Sequence, residues 1–360
     1  MSARRRLAIL GLGLVGVRHL DAVASLPDVD VIGAVDPAEA GKIAACKRNI
    51  PWFETIEELF EGAEFDGLII ATPTLLHIEQ ALYAIKKGCP VLVEKPLSTH
   101  SSDAEELISA AALRGVPILV GHHRRHNPLV QAAKSALVEG RIGEVCAVHS
   151  TCWFYKPDAY FEAAPWRTKS GAGPVSVNLV HDVDLLRFFC GDVRRVVAQT
   201  APSKRGFENE ELAAAILTFE SGAIGTLSVS DSAVSPWSWE FTSKEYPVYP
   251  VTGQSCYHIG GTRGALSIPD LKIWTHEQQP DWWRPIHAQT LPFCKSDPLV
   301  NQISHFVRVI DGQAEPLVSG VEGLKSLQVI EAIALSAEQG GFIDMNEAFP
   351  PPSVSQAAAA

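Results

Sequence analysis

The segment Leu-Ala-Ile-Leu-Gly-Leu-Gly-Leu-Val-Gly, residues 7–16, decides the fold. Its four leading apolar residues are typical of a buried β-strand, and three glycines follow at Gly-x-Gly-x-x-Gly spacing before a helix-like stretch. Glycines at this spacing permit a tight turn and the close approach of a pyrophosphate, which the N–H groups of a helix N-terminus can bind. We therefore predict a dinucleotide-binding turn made of Gly11, Leu12, Gly13, Leu14, Val15 and Gly16.

The second predicted strand ends at Asp36, which lies 20 residues after Gly16. A carboxylate at this distance from the glycine turn is placed to bind the ribose 2′-hydroxyl of the dinucleotide. Pro37 and Ala38 follow it, so no neighbouring cation is present to receive a 2′-phosphate. The sequence therefore predicts NAD as the cofactor, with NADP less favoured. Lys42, or an arginine from elsewhere in the fold, remains an alternative source of that cation.

Short apolar runs alternate with helix-length amphipathic stretches from residue 5 to about residue 125. Such alternation predicts βαβ units and a doubly wound parallel sheet with helices on both faces. We assign residues 1–125 to this N-terminal Rossmann domain. Its predicted strands are Leu7–Leu10, Val29–Val35, Gly67–Ala71, Pro90–Glu94 and Pro117–Gly121.

After Pro128 the pattern changes to strand-like runs with few helices between them. This favours a second domain at residues 126–349, of mixed α/β structure with a mostly antiparallel sheet. A helix is expected over Asn178–Cys190, and two more over Pro298–Val309 and Val321–Glu338. The tail at 350–360, which begins with three prolines, is expected to be disordered.

The composition excludes several classes of protein. Lys and Arg number 30 against 41 Asp and Glu, and the net charge of −11 argues against a nucleic-acid partner. No apolar stretch approaches the about 20 residues of a membrane span. The seven cysteines are scattered without a Cys-x-x-Cys pair, which predicts reduced thiols and a cytoplasmic location.

A candidate reacting group lies in Glu94-Lys95-Pro96, at the end of a predicted parallel strand. Ligands of open α/β sheets bind beyond the carboxyl ends of the strands. A lysine at that place can exchange a proton with the oxygen of an alcohol/ketone pair or donate a hydrogen bond to it. The alternative is an ordinary surface lysine in a βα loop.

The glycine turn, Asp36, the Ala71-Thr72-Pro73…His77 run, Glu94-Lys95-Pro96 and His181-Asp182-Val183-Asp184 together resemble the Gfo/Idh/MocA oxidoreductase family. The resemblance extends over roughly residues 5 to 345. It implies a Rossmann domain, a C-terminal α/β domain with a large open sheet, and NAD(P)-dependent chemistry on sugars, cyclitols and related diols. It also implies that Lys95 and His181 are catalytic. The cofactor contacts that it implies outside the glycine turn are Thr72, Pro73, His77, Glu94 and Lys95.

The predicted helix that carries His181 also carries Asn178, one turn earlier on the same face. We predict that Asn178, His181 and Lys95 bind the substrate. Many family members have an aspartate four residues before the histidine, where this chain has Val177. Lys95 and His181 then act without a third carboxylate, or Asp182 or Asp184 supplies it.

Two further polar segments are ambiguous. Gly121 to His126 contains three histidines, but no matched Cys or carboxylate ligands accompany them, so we predict no metal. His122 is assigned to the cofactor cleft, the alternative being a solvated crossing between domains. In the family, a pair like Trp166-Arg167 can reach over the cofactor, where an arginine holds the pyrophosphate. The alternative is a packed tryptophan beside a surface arginine.

These observations predict an NAD-dependent dehydrogenase that oxidises a secondary alcohol of a sugar, cyclitol or related polyol. Alternatives are a cis-dihydrodiol dehydrogenase of the same family and a non-catalytic NAD-binding sensor. The expected partners are a small-molecule polyol or diol and further copies of the chain. Aromatic residues on an open sheet face suggest a homodimer or homotetramer.

Overall fold

A computed structural model describes residues 4–350, whose contacts form two units. The first unit contains residues 4–126 and 296–327, and the second contains residues 127–295 and 328–350. The first boundary falls after His126, close to the position expected from the sequence. The expected tail lies outside the described residues from 351 onward.

The first unit is built on a six-stranded parallel sheet. Alternate residues of the first strand enter two different cores, with Leu7 and Ile9 in one and Ala8 and Leu10 in the other. Because successive side chains point to opposite faces of a sheet, this strand is covered on both sides. The strand order is β3-β2-β1-β4-β5-β6. The strands are β1 Arg5–Leu10, β2 Val29–Val35, β3 Trp52–Phe53, β4 Gly67–Ile70, β5 Val91–Val93 and β6 Ile118–Val120.

Helices connect these strands as the sequence predicted, although the two-residue strand β3 was not predicted. Thr55 caps one of them by accepting a hydrogen bond from the amide of Glu58 at 3.2 Å. The helices are α1 Leu14–Ala24, α2 Glu39–Cys46, α3 Ile56–Gly62, α4 His77–Lys86 and α5 Ser101–Arg114.

The second unit contains a nine-stranded sheet in the order β14-β13-β12-β11-β7-β10-β9-β8-β15. Neighbouring strands are antiparallel except β7 and β10, which are parallel. Its first members are β7 Val145–Trp153, β8 Val193–Pro202, β9 Glu210–Phe219, β10 Ile224–Ser230 and β11 Tyr257–Gly261. The rest are β12 Gly264–Ile268, β13 Lys272–Thr275, β14 His287–Thr290 and β15 Ile343–Asp344. The predicted α/β fold with a parallel and a mostly antiparallel sheet is confirmed.

Strand β9 shows that this sheet is covered on one face only, because its residues alternate between buried and exposed. Leu217 and Phe219 are fully buried, whereas Ile216 is 45% exposed. The helices of this unit are α6 Pro128–Val138, α7 Asp158–Glu162, α8 Val180–Cys190, α9 Trp239–Thr242 and α12 Met345–Ala348. A π-helical turn over Val175–Leu179 leads directly into α8.

One helix departs from the expected domain assignment. Helix α10, Pro298–Ile310, lies in the first unit, where Phe306 shares a core with Leu7 and Ile9. Gly67 permits this packing, since a Cβ there would lie 2.6 Å from Cδ1 of Ile310. The sequence placed α10 in the second domain because an amphipathic stripe does not reveal which core it covers. The division between the units then falls within helix α11, Gly320–Gln339.

Candidate active site

The glycine turn has the backbone conformation that its sequence predicted. Gly11 has a φ of +83°, and a Cβ there would lie 2.7 Å from the carbonyl oxygen of Ala71. A Cβ at Gly16 would lie 1.8 Å from the carbonyl oxygen of Gly11. Both positions therefore require glycine, the first for its φ and its close approach and the second for helix–strand contact.

Gly13 differs from these two glycines, because a Cβ there would meet no atom within 4 Å. It precedes Leu14, the first residue of α1, and no side chain in the described part of the chain caps this helix N-terminus. Amide groups at an uncapped helix N-terminus carry partial positive charge and bind anions such as phosphate. The open space at Gly13 and the uncapped amides fit the pyrophosphate of a dinucleotide.

Asp36 has a second role that the sequence did not reveal. Its Oδ2 accepts a hydrogen bond from the amide of Leu12 at 2.6 Å, and its Oδ1 accepts one from the amide of Ala38 at 2.8 Å. The carboxylate therefore holds the glycine turn as well as standing at the edge of the cleft. Gly41 permits the adjacent α2 to pack here, since a Cβ would lie 2.3 Å from Cγ of Asp36.

A cleft of about 700 Å³ opens beside this turn. Its lining includes Gly11, Gly13, Leu14, Val15, Asp36, Thr72 and Pro73, all of which were predicted from the sequence. It also includes three carboxylates that the sequence did not indicate, Glu54, Glu57 and Glu79. Negative charge on the lining would repel a 2′-phosphate, so the cleft fits NAD better than NADP.

Lys42, the alternative partner for a 2′-phosphate, does not line this cleft. Its ammonium lies over the ring of Trp52, 4.5 Å from the ring centroid. The indole of Trp52 in turn donates a hydrogen bond to the carbonyl oxygen of Asp36 at 2.9 Å. Lys42 therefore forms a cation–π contact beside the cleft.

His77 connects two loops at the edge of the cleft. It is 1% exposed, and its ring nitrogens lie 2.9 Å from the carbonyl oxygen of Thr72 and 3.0 Å from that of Pro96. Burial lowers the pKa of His77, and each of these two carbonyl oxygens can accept a hydrogen bond from a ring N–H. The structure thus places His77 between the Thr72 loop and the Glu94-Lys95-Pro96 loop.

Glu94 is a buried anchor for the loop that carries Lys95. Its Oε1 lies 2.8 Å from Nε2 of His19, and its Oε2 accepts a hydrogen bond from the amide of Lys95 at 3.1 Å. Burial raises the pKa of Glu94, but the hydrogen bond and charge of His19 and the charges of His123 and Lys95 outweigh it, and the pKa falls to about 2. The ionised carboxylate therefore fixes the backbone at Lys95. His19 was missed because nothing local marks a histidine within a helix as a partner of a distant strand.

In the second unit, Asn178 and His181 lie at the junction of the π-helical turn and α8. The junction is fixed by Glu210, whose Oε1 accepts a hydrogen bond from the amide of Val175 at 3.0 Å. Gly173 makes room for this carboxylate, since a Cβ there would lie 2.2 Å from the same oxygen. His181 is 9% exposed. No local pattern in the sequence marks Glu210 for this role.

The two acidic residues after His181 are both buried. Asp182 accepts a hydrogen bond from the hydroxyl of Tyr257, which engages one of its oxygens in the core of the second unit. Asp184 is 1% exposed. The choice between them as a partner of His181 remains a prediction.

The remaining candidates lie in different surroundings. Trp166 is 58% exposed, and Arg167 donates a hydrogen bond to the carbonyl oxygen of Tyr160 at 2.6 Å, with its guanidinium 4.0 Å from the centroid of the Tyr160 ring. His122 is 1% exposed within the first unit. Over residues 4–350, no group of three or more His, Cys, Asp or Glu side chains is arranged to hold a metal ion. The cofactor roles of Trp166, Arg167 and His122 stay predictions.

The fold and the cleft define an oxidoreductase with an NAD-binding Rossmann domain. Residues 5–122 match the NAD-binding Rossmann-fold domain of this oxidoreductase family, and residues 130–267 match the GFO/IDH/MocA C-terminal domain. The chain belongs to the GFO/IDH/MocA family. The family, the enzyme class and the NAD cofactor predicted from the sequence are confirmed.

Several known proteins are similar to this chain over most of its length. The D-apiose dehydrogenase of Paraburkholderia graminis is 25% identical over 359 residues, which cover 94% of this chain and 89% of that protein. The scyllo-inositol 2-dehydrogenase (NAD(+)) of Bacillus subtilis is 25% identical and covers 94% of this chain and 96% of its own. The WlbA dehydrogenase of Bordetella pertussis, solved with NADH and UDP-GlcNAcA, is 25% identical, with a TM-score of 0.77, and the match covers 95% of this chain and 98% of that chain.

None of the helices within residues 4–350 is long and apolar enough to cross a membrane.

Proposed function

We propose that this protein is an NAD-dependent dehydrogenase that oxidises a secondary alcohol of a neutral sugar, cyclitol or related polyol. The observation that carries the proposal is the fixed backbone at Lys95, whose amide donates a hydrogen bond to Glu94. His77 contacts the loop of Lys95 and also the Thr72 loop, which lines the cofactor cleft. Relatives that act on D-apiose and scyllo-inositol support the substrate class.

In this proposal Gly11, Gly13 and Asp36 would hold NAD, which would supply the hydride acceptor for the alcohol carbon. His181 takes the hydroxyl proton, and Lys95 donates a hydrogen bond to the same oxygen and stabilises its developing negative charge. The exchange of these two roles is an equivalent assignment. Asn178 has an amide and cannot act as a base, so its proposed role is to bind a substrate hydroxyl.

A substrate panel tests this function. Purified protein with NAD is offered D-apiose, scyllo-inositol, myo-inositol and a cis-dihydrodiol, and NADH formation is followed by absorbance. We expect turnover with at least one sugar or inositol and slower turnover with the dihydrodiol. Preferred oxidation of the dihydrodiol would favour the alternative dehydrogenase. Binding of NAD and polyol without turnover would favour a sensor.

We further propose that the open face of the nine-stranded sheet pairs with a second copy of the chain. Ile216 and Ile224 are 45% and 53% exposed on this face, which also has a concavity of about 450 Å³ lined by His149 and Trp274. Exposed apolar patches on soluble proteins mark interaction sites, and a self-complementary sheet face suits a two-fold dimer. The cysteines within residues 4–350 form no disulfide bond, which supports a cytoplasmic location.

Light scattering coupled to gel filtration tests the assembly. We expect a dimer or tetramer for the wild type and a monomer for the double variant Ile216→Lys/Ile224→Lys, because two ammonium groups would be buried without partners. Leu113→Lys is the control, since Leu113 is 62% exposed on α5 of the first unit and should leave the assembly unchanged. A monomeric wild type at micromolar concentration would contradict the proposal.

A further inference from the structure

Lys156 is a buried lysine to which the mechanism above assigns no role. It follows strand β7 in the second unit and is only 5% exposed. Its ammonium forms no hydrogen bond and no ion pair with any residue in the described range. The contact that it does make is with the ring of Tyr160, whose centroid lies 5.1 Å away. An ammonium with little access to water and no hydrogen-bond acceptor costs free energy, so its retention needs a reason.

The backbone fixes Lys156 beyond the carboxyl ends of two central strands of the sheet. The parallel strands β7 and β10 end together, and the amide of Lys156 donates to the carbonyl oxygen of Asp231 at 2.8 Å. Strand β9 runs antiparallel to β10, so its first residue, Glu210, lies at the same end of the sheet as the last residues of β7 and β10. The pairing of these three strands therefore brings the charged side chains at this end together.

Three carboxylates lie close enough to act on the charge of the ammonium, but within residues 4–350 none forms an ion pair with it. The charges of Asp231, Glu240 and Glu210 all interact with Lys156. Asp231 is already paired with Arg205 at 3.2 Å, and Glu210 accepts the amide of Val175. Burial lowers the pKa of Lys156 and raises the pKa values of Glu210 and Asp231, as expected for charged groups that lack water.

Glu210 connects this end of the sheet with the predicted substrate-binding residue Asn178. The amide of Val175, which Glu210 holds, begins the π-helical turn that contains Asn178. The side-chain oxygen of Asn178 is buried and has no hydrogen-bond partner among the described residues. One end of the second unit therefore presents an ammonium donor, an amide acceptor and carboxylate acceptors, all with hydrogen-bonding capacity to spare.

We propose that Lys156 is a substrate-binding residue that donates a hydrogen bond to a hydroxyl group of a neutral polyol. The same hydroxyl can donate a hydrogen bond to the carboxylate of Glu210 or Asp231. It then links the ammonium of Lys156 to a carboxylate with which the lysine forms no ion pair. An acidic substrate is disfavoured, because its carboxylate would face the carboxylates of Glu210, Asp231 and Glu240. The nearby guanidinium groups of Arg205 and Arg167 are already engaged, by Asp231 and by the carbonyl oxygen of Tyr160. This inference rests on the proposed function and narrows its substrate class.

The test compares Lys156→Met with wild type. With scyllo-inositol or D-apiose, whichever is oxidised, we expect KM to rise about 10–100-fold, the value of a hydrogen bond to a charged group. We expect kcat to change much less, because Lys156 binds substrate away from the reacting carbon. The melting temperature of the free protein should be retained, because the substitution removes both the cost of burying the ammonium and its attraction to the nearby carboxylates.

Lys134→Met is the matched control. Lys134 lies in the same unit, but its ammonium donates to the carbonyl oxygen of Phe188 at 2.7 Å. This control should keep the wild-type KM and lower the melting temperature by roughly 2–4 °C. A raised KM with a retained melting temperature marks a binding lysine, whereas an unchanged KM with a lowered melting temperature marks a structural one.

Three outcomes would overturn the inference. An unchanged KM in Lys156→Met would show that the substrate does not contact this lysine. A marked loss of melting temperature would assign it a structural role, whatever substrate is used. Faster turnover of L-tartrate or D-galacturonate than of the neutral polyols, lost in Lys156→Met, would make the site an anion site. Absence of turnover with every compound would instead contradict the proposed function itself, and this inference with it.

Discussion

Replacing Lys95 or His181 by alanine is expected to lower kcat about 10²–10⁴-fold, the usual contribution of a positioned acid–base group. The affinity for NAD should stay nearly unchanged, because neither side chain is needed for the phosphates or the adenosine. The double variant should lose less than the product of the two single losses, since residues that act as a unit are not additive. The measurement is single-turnover reduction of NAD by one confirmed polyol.

Lys47→Ala and His287→Ala are the matched controls for this experiment. Both side chains are exposed, the first in the Rossmann unit and the second on strand β14 of the other unit. Both variants should retain wild-type rates. Wild-type rates in Lys95→Ala and His181→Ala would place the chemistry on other residues. A wild type without turnover that still binds cofactor and polyol would be a sensor.

The second large effect is expected from Asp36→Ala, which should weaken NAD binding about 10–100-fold through loss of a charged hydrogen bond to the ribose. The binding of NADP should weaken less or improve, because one of the negative charges on the cleft lining is removed. Titration of protein fluorescence with NAD and NADP gives both dissociation constants. A lower melting temperature should accompany the change, because the amides of Leu12 and Ala38 lose their acceptor.

Lys42→Met separates ribose recognition from phosphate recognition. The ammonium of Lys42 lies on Trp52, outside the cleft lining, so this variant should bind NAD and NADP as the wild type does. A selective loss of NADP affinity in Lys42→Met would show that Lys42 reaches a 2′-phosphate. A wild type that binds NADP more tightly than NAD would contradict the assignment of Asp36.

The N-terminal half could be predicted in detail because its signals are local. The run Leu7–Leu10, the spacing of Gly11, Gly13 and Gly16, and the position of Asp36 each follow from the conformational needs of a few consecutive residues. In the second unit, alternation predicted the strands at its centre. Strands β11, β13, β14 and β15 were missed, and the last three have only two to four residues, too few to establish a period of two.

The candidate site was predicted only where a motif names its own residues, as with Lys95 and His181. The groups that hold them in place, His19 with Glu94 and Glu210 with Val175, are far apart in the chain and have no sequence signal. The sequence also offered no reason to separate Lys156 from other lysines. Burial and the absence of an ion-pair partner are properties of the packed structure alone.

By itself the sequence determined the class of fold, the cofactor turn and the residues proposed to react. Glycine conformations, strand periodicity and short motifs each depend on a few consecutive residues, so they can be recognised within single segments. The tertiary structure decided that α10 packs in the Rossmann unit and that Asp36 accepts a hydrogen bond from Leu12. It also decided that the ammonium of Lys156 lies near carboxylates without an ion pair to any residue of 4–350. Each of these depends on which distant elements pack together. Which elements pack together is determined by the total burial of many apolar faces. No single segment contributes enough of that burial for its own sequence to show its packing partner.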